Sequence, residues 1–249
     1  MFKITFNGAD IPSFIKVRTV DFAVLPTISH SFKPIAGGRG LLEAGTSIGE
    51  KTLKMKIVIV PTDGKSLTDM ARELAYWLQG NNFKLCDLVI SDDSTKMYRA
   101  KINNAVDISD LMYIGEGELE FVVPSGVAKG TELTGSQVST GADTFIIMYN
   151  GTAPSRPIIT WTPSSTLTGV TINFTCVETG KLISLTGTFT SGVAITIDCE
   201  KKVVKRGAVV DMKLINYTSD WITLPSRGTY NITWNQAGTY TTSCKEYWL

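Results

Sequence analysis

The chain contains a single histidine, His30, and that scarcity removes much of the chemistry open to a protein of this length. A metal site built on paired imidazoles cannot be made from one ring. A Ser-His-Asp triad would rest on one residue in a stretch, Pro26 to Pro34, that reads as irregular, so His30 is assigned no catalytic role. Cysteine is also sparse. Cys86, Cys176, Cys199 and Cys244 lie far apart with no Cys-x-x-Cys pair, which excludes a zinc cluster of the usual spacing. They read as four free, buried thiols, mostly on strands, with a Cys176–Cys199 bridge as the alternative. There is no charge excess either. The formal net charge is +1, and neither residues 1–130 nor residues 131–249 carry the basic footprint of a nucleic-acid binder. No apolar run approaches membrane-spanning length. The N-terminus, Met1 to Phe6, alternates like a strand and lacks the apolar centre of a secretory signal. These absences predict a protein made in a cytoplasm, with no cofactor, no nucleic-acid partner and no membrane contact.

What is present is strand chemistry. At 249 residues with 43% apolar content, the chain can hold two modest domains, each with a core. Composition shifts along it: residues 131–249 hold 23 Thr and residues 1–130 hold eight. Threonine is β-branched and favours strands, so the shift predicts two domains, 1–130 and 131–249. Pro124 to Ala142, rich in Gly, Ser and Thr, reads as the linker or a long loop between them. In the second half, Ile159 and Trp161 alternate with Ile158, Thr160 and Thr162. Val193, Ile195, Ile197 and Cys199 share one face, with Ala194, Thr196, Asp198 and Glu200 opposite. Thr168-Gly169, Thr179-Gly180, Ser191-Gly192, Arg206-Gly207 and Arg227-Gly228 supply turn signals. Short strands at that spacing predict a sandwich or barrel.

The first half is β-rich with one helix. Strands are predicted over Phe2–Phe6, Ile15–Phe22, Thr52–Val60, Phe83–Ile90, Met97–Val106 and Glu116–Val123. In Thr52–Val60, Leu53, Met55, Ile57 and Ile59 form one face. The helix begins at Ser66, an N-cap with Asp69 in the capping-box position, and ends at Gly80. Leu67, Met70, Ala71, Leu74 and Leu78 form its apolar stripe.

Several motifs invite chemistry and do not carry it. Gly64-Lys65-Ser66 resembles the end of a phosphate loop, but the glycine required five residues earlier is Ile59, so Pro61 to Gly64 reads as a turn into the helix. Gly37-Gly38-Arg39-Gly40 reads as a loop or hairpin tip, and Arg39, flanked by glycines, as a candidate subunit contact. Asp92, Asp93, Asp107 and Asp110 read as solvated turn formers. Four Asn-x-Thr sequences, at Asn150, Asn173, Asn216 and Asn231, are chance matches in a Thr-rich chain. Trp161 reads as core, whereas Trp234 and Tyr240, near the Asn231–Gly238 turn, are the candidate sugar contacts. Trp221 is placed less firmly, sharing a side with Thr223 while Ile222 and Leu224 take the other.

In their order and spacing these pieces resemble the distal tail protein family of long, flexible-tailed bacteriophages, over nearly the whole chain. The first half contributes Phe6-Asn7-Gly8, Gly37-Gly38-Arg39-Gly40, the Leu53–Val60 strand, the Met70–Leu78 helix and Tyr98-Arg99-Ala100. The second contributes Asn150-Gly151-Thr152-Ala153-Pro154 with Arg156-Pro157-Ile158-Ile159, then Ile195-Thr196-Ile197-Asp198, Lys202-Val203-Val204 and Asp220-Trp221-Ile222-Thr223-Leu224. The resemblance implies a mainly β protein: an N-terminal ring-forming domain with one helix, and a C-terminal galectin-like or carbohydrate-module-like β-sandwich. It also implies a structural, non-enzymatic virion protein at the tail tip. Six copies would form a ring joining the tail tube protein to tail-associated, receptor-binding or baseplate proteins. A second expectation, from another class, is a carbohydrate-binding module at the tail tip that contacts the host cell wall. Exposed tryptophans amid polar groups would favour that one, and buried Trp161 and Trp221 the adaptor.

Overall fold

The computed structural model describes residues 3–35, 37–60, 64–104 and 116–249. Phe2, the Pro61–Asp63 part of the expected turn, Val106, Asp107 and Asp110 lie outside the described residues. The protein is mainly β, in two compact units that meet between Lys129 and Gly130. Among the described residues no helix is long and apolar enough to cross a membrane.

The first unit holds β1 (Ile4–Phe6), β2 (Ala9–Asp10), β3 (Ile15–Phe22), β4 (Ile28–Pro34), β5 (Leu41–Ile48), β6 (Lys51–Ile59), α1 (Leu67–Gln79), β7 (Cys86–Ile90), β8 (Met97–Ile102) and β9 (Glu116–Val123). Seven strands pair antiparallel in the order β3-β6-β9-β8-β7-β1-β2. β6 is central, and its strict alternation buries Leu53, Met55, Ile57 and Ile59 while Lys54 and Lys56 stay exposed. Lys54 sits between Glu118 and Glu120 of β9, 3.2 and 3.4 Å away, a cross-strand arrangement of opposite charges.

Helix α1 starts as its capping chemistry dictates. The Ser66 hydroxyl oxygen accepts from the Asp69 N–H at 3.1 Å, and its own O–H donates to the Asp69 carboxylate at 2.6 Å. The buried stripe is Met70, Leu74, Trp77 and Leu78. Leu67 and Ala71, expected in it, are half-buried, while Trp77, which the expected stripe omitted, is 6% exposed. Trp77 is drawn in by Phe6 and Phe121, whose ring centroids lie 5.7 and 6.4 Å away edge-on, and its indole N–H donates to the Ala9 carbonyl. The chain leaves the helix at Gly80 with φ of 54°, where a Cβ would stand 2.9 Å from the Phe6 ring. Only glycine meets both demands.

Two stretches read as irregular are strands. Ile28 to Pro34 is β4, paired with β5 from Ile28↔Ile48 to Pro34↔Leu41. The alternation Ile28, His30, Phe32 was present, but Pro26 and Pro34 bracket it and no face of it is buried. Ala128 to Ser139, inside the expected linker, is β10, which pairs first with β8 at Ala128↔Tyr98. Gly135, read as a loop signal, is a close-approach position within the strand: a Cβ there would fall 2.1 Å from the Phe145 ring. The Phe83–Ile90 strand is shorter than expected, beginning at Cys86 because Asn82 and Phe83 adopt positive φ.

The second unit adds β11 (Asp143–Tyr149), β12 (Ile158–Pro163), β13 (Leu167–Cys176), β14 (Lys181–Phe189), β15 (Ile195–Asp198), β16 (Val203–Arg206), β17 (Val209–Val210), β18 (Gly228–Trp234) and β19 (Gly238–Trp248). One layer runs β17-β16-β15-β12-β19-β10 and the other β11-β18-β13-β14, a two-sheet sandwich. Between them lie Ile159, Trp161, Ile172, Phe174, Leu185, Phe189, Ile195, Ile197 and Ile232, each at most 1% exposed. Thr168-Gly169 is an irregularity inside β13 and not a turn, and Gly228 opens β18. Asp198, expected on the wetted face, is 6% exposed because its carboxylate accepts from the Lys201 backbone N–H at 2.9 Å.

The core of the first unit sets a stability test. Leu74, 3% exposed, should lose about 2–5 kcal/mol on substitution by alanine, through lost transfer energy and the cavity left behind. Tyr76, one turn-face away and 79% exposed, should lose under about 0.5 kcal/mol on the same change. Denaturant melts of the two variants beside the parent read both numbers.

Candidate functional site

The β4–β5 hairpin is the longest fully exposed element among the described residues. Every residue of both strands is exposed, including Phe32 at 53%, Leu41 at 63% and Leu42 at 61%. Its root is closed by Thr27 N–H donating to Glu50 O at 3.0 Å and Gly49 N–H to Thr27 O at 2.6 Å. There, too, the Lys51 ammonium lies 5.4 Å from the centre of the Phe22 ring, and burial pushes its pKa down. Gly37 to Gly40 form the tip, with Arg39 exposed at its end. A lone two-stranded hairpin is marginal in water, and an apolar one in the open calls for a covering surface.

His30 stands on this hairpin. Its Nδ1 is 2.9 Å from the Thr46 hydroxyl, which donates to the Glu43 carboxylate at 2.9 Å. The hydroxyl therefore lies between imidazole and carboxylate. In a triad the imidazole occupies the middle and takes the hydroxyl proton; here that proton is already given to Glu43. The chain of bonds ties β4 to β5 and activates no nucleophile. Among the described residues no group of three or more His, Cys, Asp and Glu is arranged to hold a metal ion.

A groove of about 280 Å³ opens beside α1, walled by Phe6, Pro12, Tyr76 and Trp77 and edged by Asp10 and Glu73. Asp10 accepts from the Thr5 hydroxyl at 2.9 Å and pairs with Lys3 at 3.0 Å; these contacts hold its carboxyl below the usual range. Glu73 gives its Oε2 to Lys65, at 2.5 Å. β2, which borders the groove, pairs only with β1 among the described strands, so its outer edge is open.

In the second unit, the expected sugar contacts are not at the surface. Trp234 is 4% exposed and Tyr240 fully buried. Their rings stack with centroids 3.8 Å apart, Trp161 lies 6.3 Å beyond, and the Tyr240 hydroxyl donates to the Gln236 carbonyl at 2.6 Å. The Trp234 indole N–H is buried as well. The period-two run Tyr230, Ile232, Trp234 was the signal that places Trp234 on the core face. Trp221 is half-buried, against the core, with Ile222 and Leu224 buried beside it. The polar cleft of this unit lies elsewhere: a space of about 210 Å³ with Tyr247, Ser243, Arg156, Glu200, Lys245 and Glu132 around it. Its ion pairs are long, Arg156–Glu200 at 3.8 Å and Lys245–Glu132 at 4.0 Å, while Ser243 donates to Glu132.

The four cysteines are free and buried, and no bridge joins Cys176 to Cys199. Burial pushes the Cys199 thiol up to about 12 and raises that of Cys244 too, so both remain protonated and unreactive near neutral pH. Tyr149, also raised to about 12 by burial, donates to the Ala153 carbonyl at 2.6 Å and accepts from the Tyr247 N–H at 3.0 Å. These groups hold the sandwich together and present no chemistry to solvent.

Residues 10–123 match the phage tail protein RIFT-related domain, and residues 150–248 match the C-terminal domain of the siphovirus-type tail component. A search of curated protein sequences finds no match. Among solved structures, the SPP1 Dit (gp 19.1) protein, described as a paradigm of the hub adsorption apparatus in phages infecting Gram-positive bacteria, superposes with a TM-score of 0.73. The alignment covers 100% of both chains at 19% identity, a likeness of fold. Chains of the phage P2 baseplate in its activated conformation, with Ca and with Sr, give TM-scores of 0.41 and 0.40 at 8% identity, over 97% or more of each chain. With matched domains running in order along both units, the chain belongs to the siphovirus tail component family and is a structural, distal-tail protein of the phage tail.

Proposed function

We propose that this protein is the hub of a tail tip: six copies close into a ring through their first units and join the tail tube to the adhesion device, while the second units dock baseplate or receptor-binding proteins. The observation that carries this reading is the β4–β5 hairpin, whose Phe32, Leu41 and Leu42 side chains stand uncovered on an element too small to be stable by itself. Cover supplied by the next copy makes a contact between two different patches, and such contacts close into rings when the rotation allows. The outer strand faces of the second unit favour docking. Thr171, Thr186, Thr229 and Thr241 are exposed there, a broad, nearly neutral polar surface suited to a modest protein contact.

The tail-tip sugar module is the second reading, and the burial of Trp234 and Tyr240 takes away the contacts first expected for it. What favours it now is the polar cleft at Tyr247, where an aromatic ring meets convergent charged groups. We place it second because the ring is only partly accessible and the charges around it already pair with one another.

Two measurements test these readings. Sedimentation of the full chain at high concentration, and of tails from virions, should give a species of about six chains. Replacing residues 28–48 by a short Gly-Ser link should leave the first unit folded yet reduce assembly at least tenfold; a ring that forms unchanged without the hairpin overturns the argument. Calorimetric titration of the full chain with host cell-wall polysaccharide should show no binding in the micromolar range. Micromolar binding that Tyr247→Ala abolishes would promote the sugar reading instead.

A further inference from the structure

The hairpin and the groove beside α1 lie at opposite ends of one strand. β3 connects them: Pro12, in the groove wall, precedes its first residue, and the hairpin follows its last, Phe22. Eight residues at about 3.3 Å each separate the two by roughly 25 Å. The hairpin does not fill the groove of its own chain, since its tip is exposed and Tyr76 in the groove wall remains 79% exposed. One patch presents Leu41 and Leu42 with Arg39 at its extremity and a second cation, Lys33, across the hairpin from Leu42. The other is an aromatic-walled trough edged by two carboxylates.

We infer that the hairpin tip of one copy seats in the α1 groove of the next, with Arg39 against Glu73 and Asp10 and with Leu41 and Leu42 against the aromatic wall. This rests on the ring reading and names the surface that makes it. Lys65 holds Oε2 of Glu73, which leaves Oε1 to accept from a guanidinium. Asp10 already serves Thr5 and Lys3, and each carboxylate oxygen has a second lone pair to offer. The exposed Tyr76 ring offers its face to the same cation. The glycines on both sides of Arg39 let the tip enter the trough without a bulky neighbour. Because tip and trough lie at opposite ends, the contact is head-to-tail, and each copy gives one arm and receives one.

The test is charge reversal in the full chain, read by sedimentation and in tails assembled from the variants. Arg39→Glu and Glu73→Arg should each raise the concentration at which rings form by about tenfold, the scale of one coupled charge pair. The double variant Arg39→Glu/Glu73→Arg should return to within about threefold of the parent. Parent rings with single reversals that change nothing, or a double variant as weak as the singles, would overturn the arm-in-groove contact and leave the ring itself standing. A parent that is monomeric both in solution and in tails would sink the ring reading and this contact together. A second measurement does not depend on those charges. Leu41→Cys with Ala9→Cys, both exposed positions in a chain whose native thiols are buried, should give an oxidised ladder of up to six chains. Assembled rings with no ladder would count against the contact.

Discussion

A pair of antiparallel strands has two faces, and β4–β5 covers neither with its own chain. Among the described residues, the core of the first unit closes without that hairpin. The core closes around Phe6, Trp77 and Phe121, the helix is capped at both ends, and β6 finds partners on both sides. The hairpin adds nothing to this interior. Its apolar side chains represent free energy that folding leaves unused and association can collect.

The second unit resolves its aromatic side chains in the other direction. Trp161, Phe174, Phe189, Trp234 and Tyr240 meet in the sandwich interior, where the Trp161 N–H donates to the Ala237 carbonyl and the Tyr240 hydroxyl to that of Gln236. Rings of that size dominate the packing energy of a small β-module. With them inside, the outer strand faces carry many threonines, whose short side chains can bond across strands, as Thr171 and Thr186 do at 2.8 Å. Such a surface can be rewritten from one phage to another without touching the core.

Much of this was legible in the sequence, for reasons that differ by element. α1 announced itself through a cap, a stripe and a terminating glycine, all local signals. β6 was legible because one whole face is buried and the alternation follows, and β3 because its first half, with Ile15 and Val17 buried, does the same. β4 alternates too, but its pattern has no buried side to answer to, and its flanking prolines read as breaks. β10 was hidden by Gly135, because a glycine that makes room for the Phe145 ring looks the same in sequence as one that makes a turn. The inward face of β18 was readable from Tyr230, Ile232 and Trp234. That of β19 was not, since Tyr240, Thr242, Cys244 and Glu246 mix polar and apolar types on one buried face. The groove beside α1 was beyond sequence reading, because Asp10 and Glu73 meet only once the helix packs on β1.

The buried cysteines carry one more consequence. Reducing and oxidising settings act on protein sulfur in opposite ways. A fold held by disulfides would have to mature between them, and one with accessible thiols would age by sulfenylation or by linking to other particles. Here each sulfur is sealed in a core, and Cys199 and Cys244 are also held as thiols. While the fold stays closed, an oxidant in solution reaches neither these sulfurs nor the packing around them.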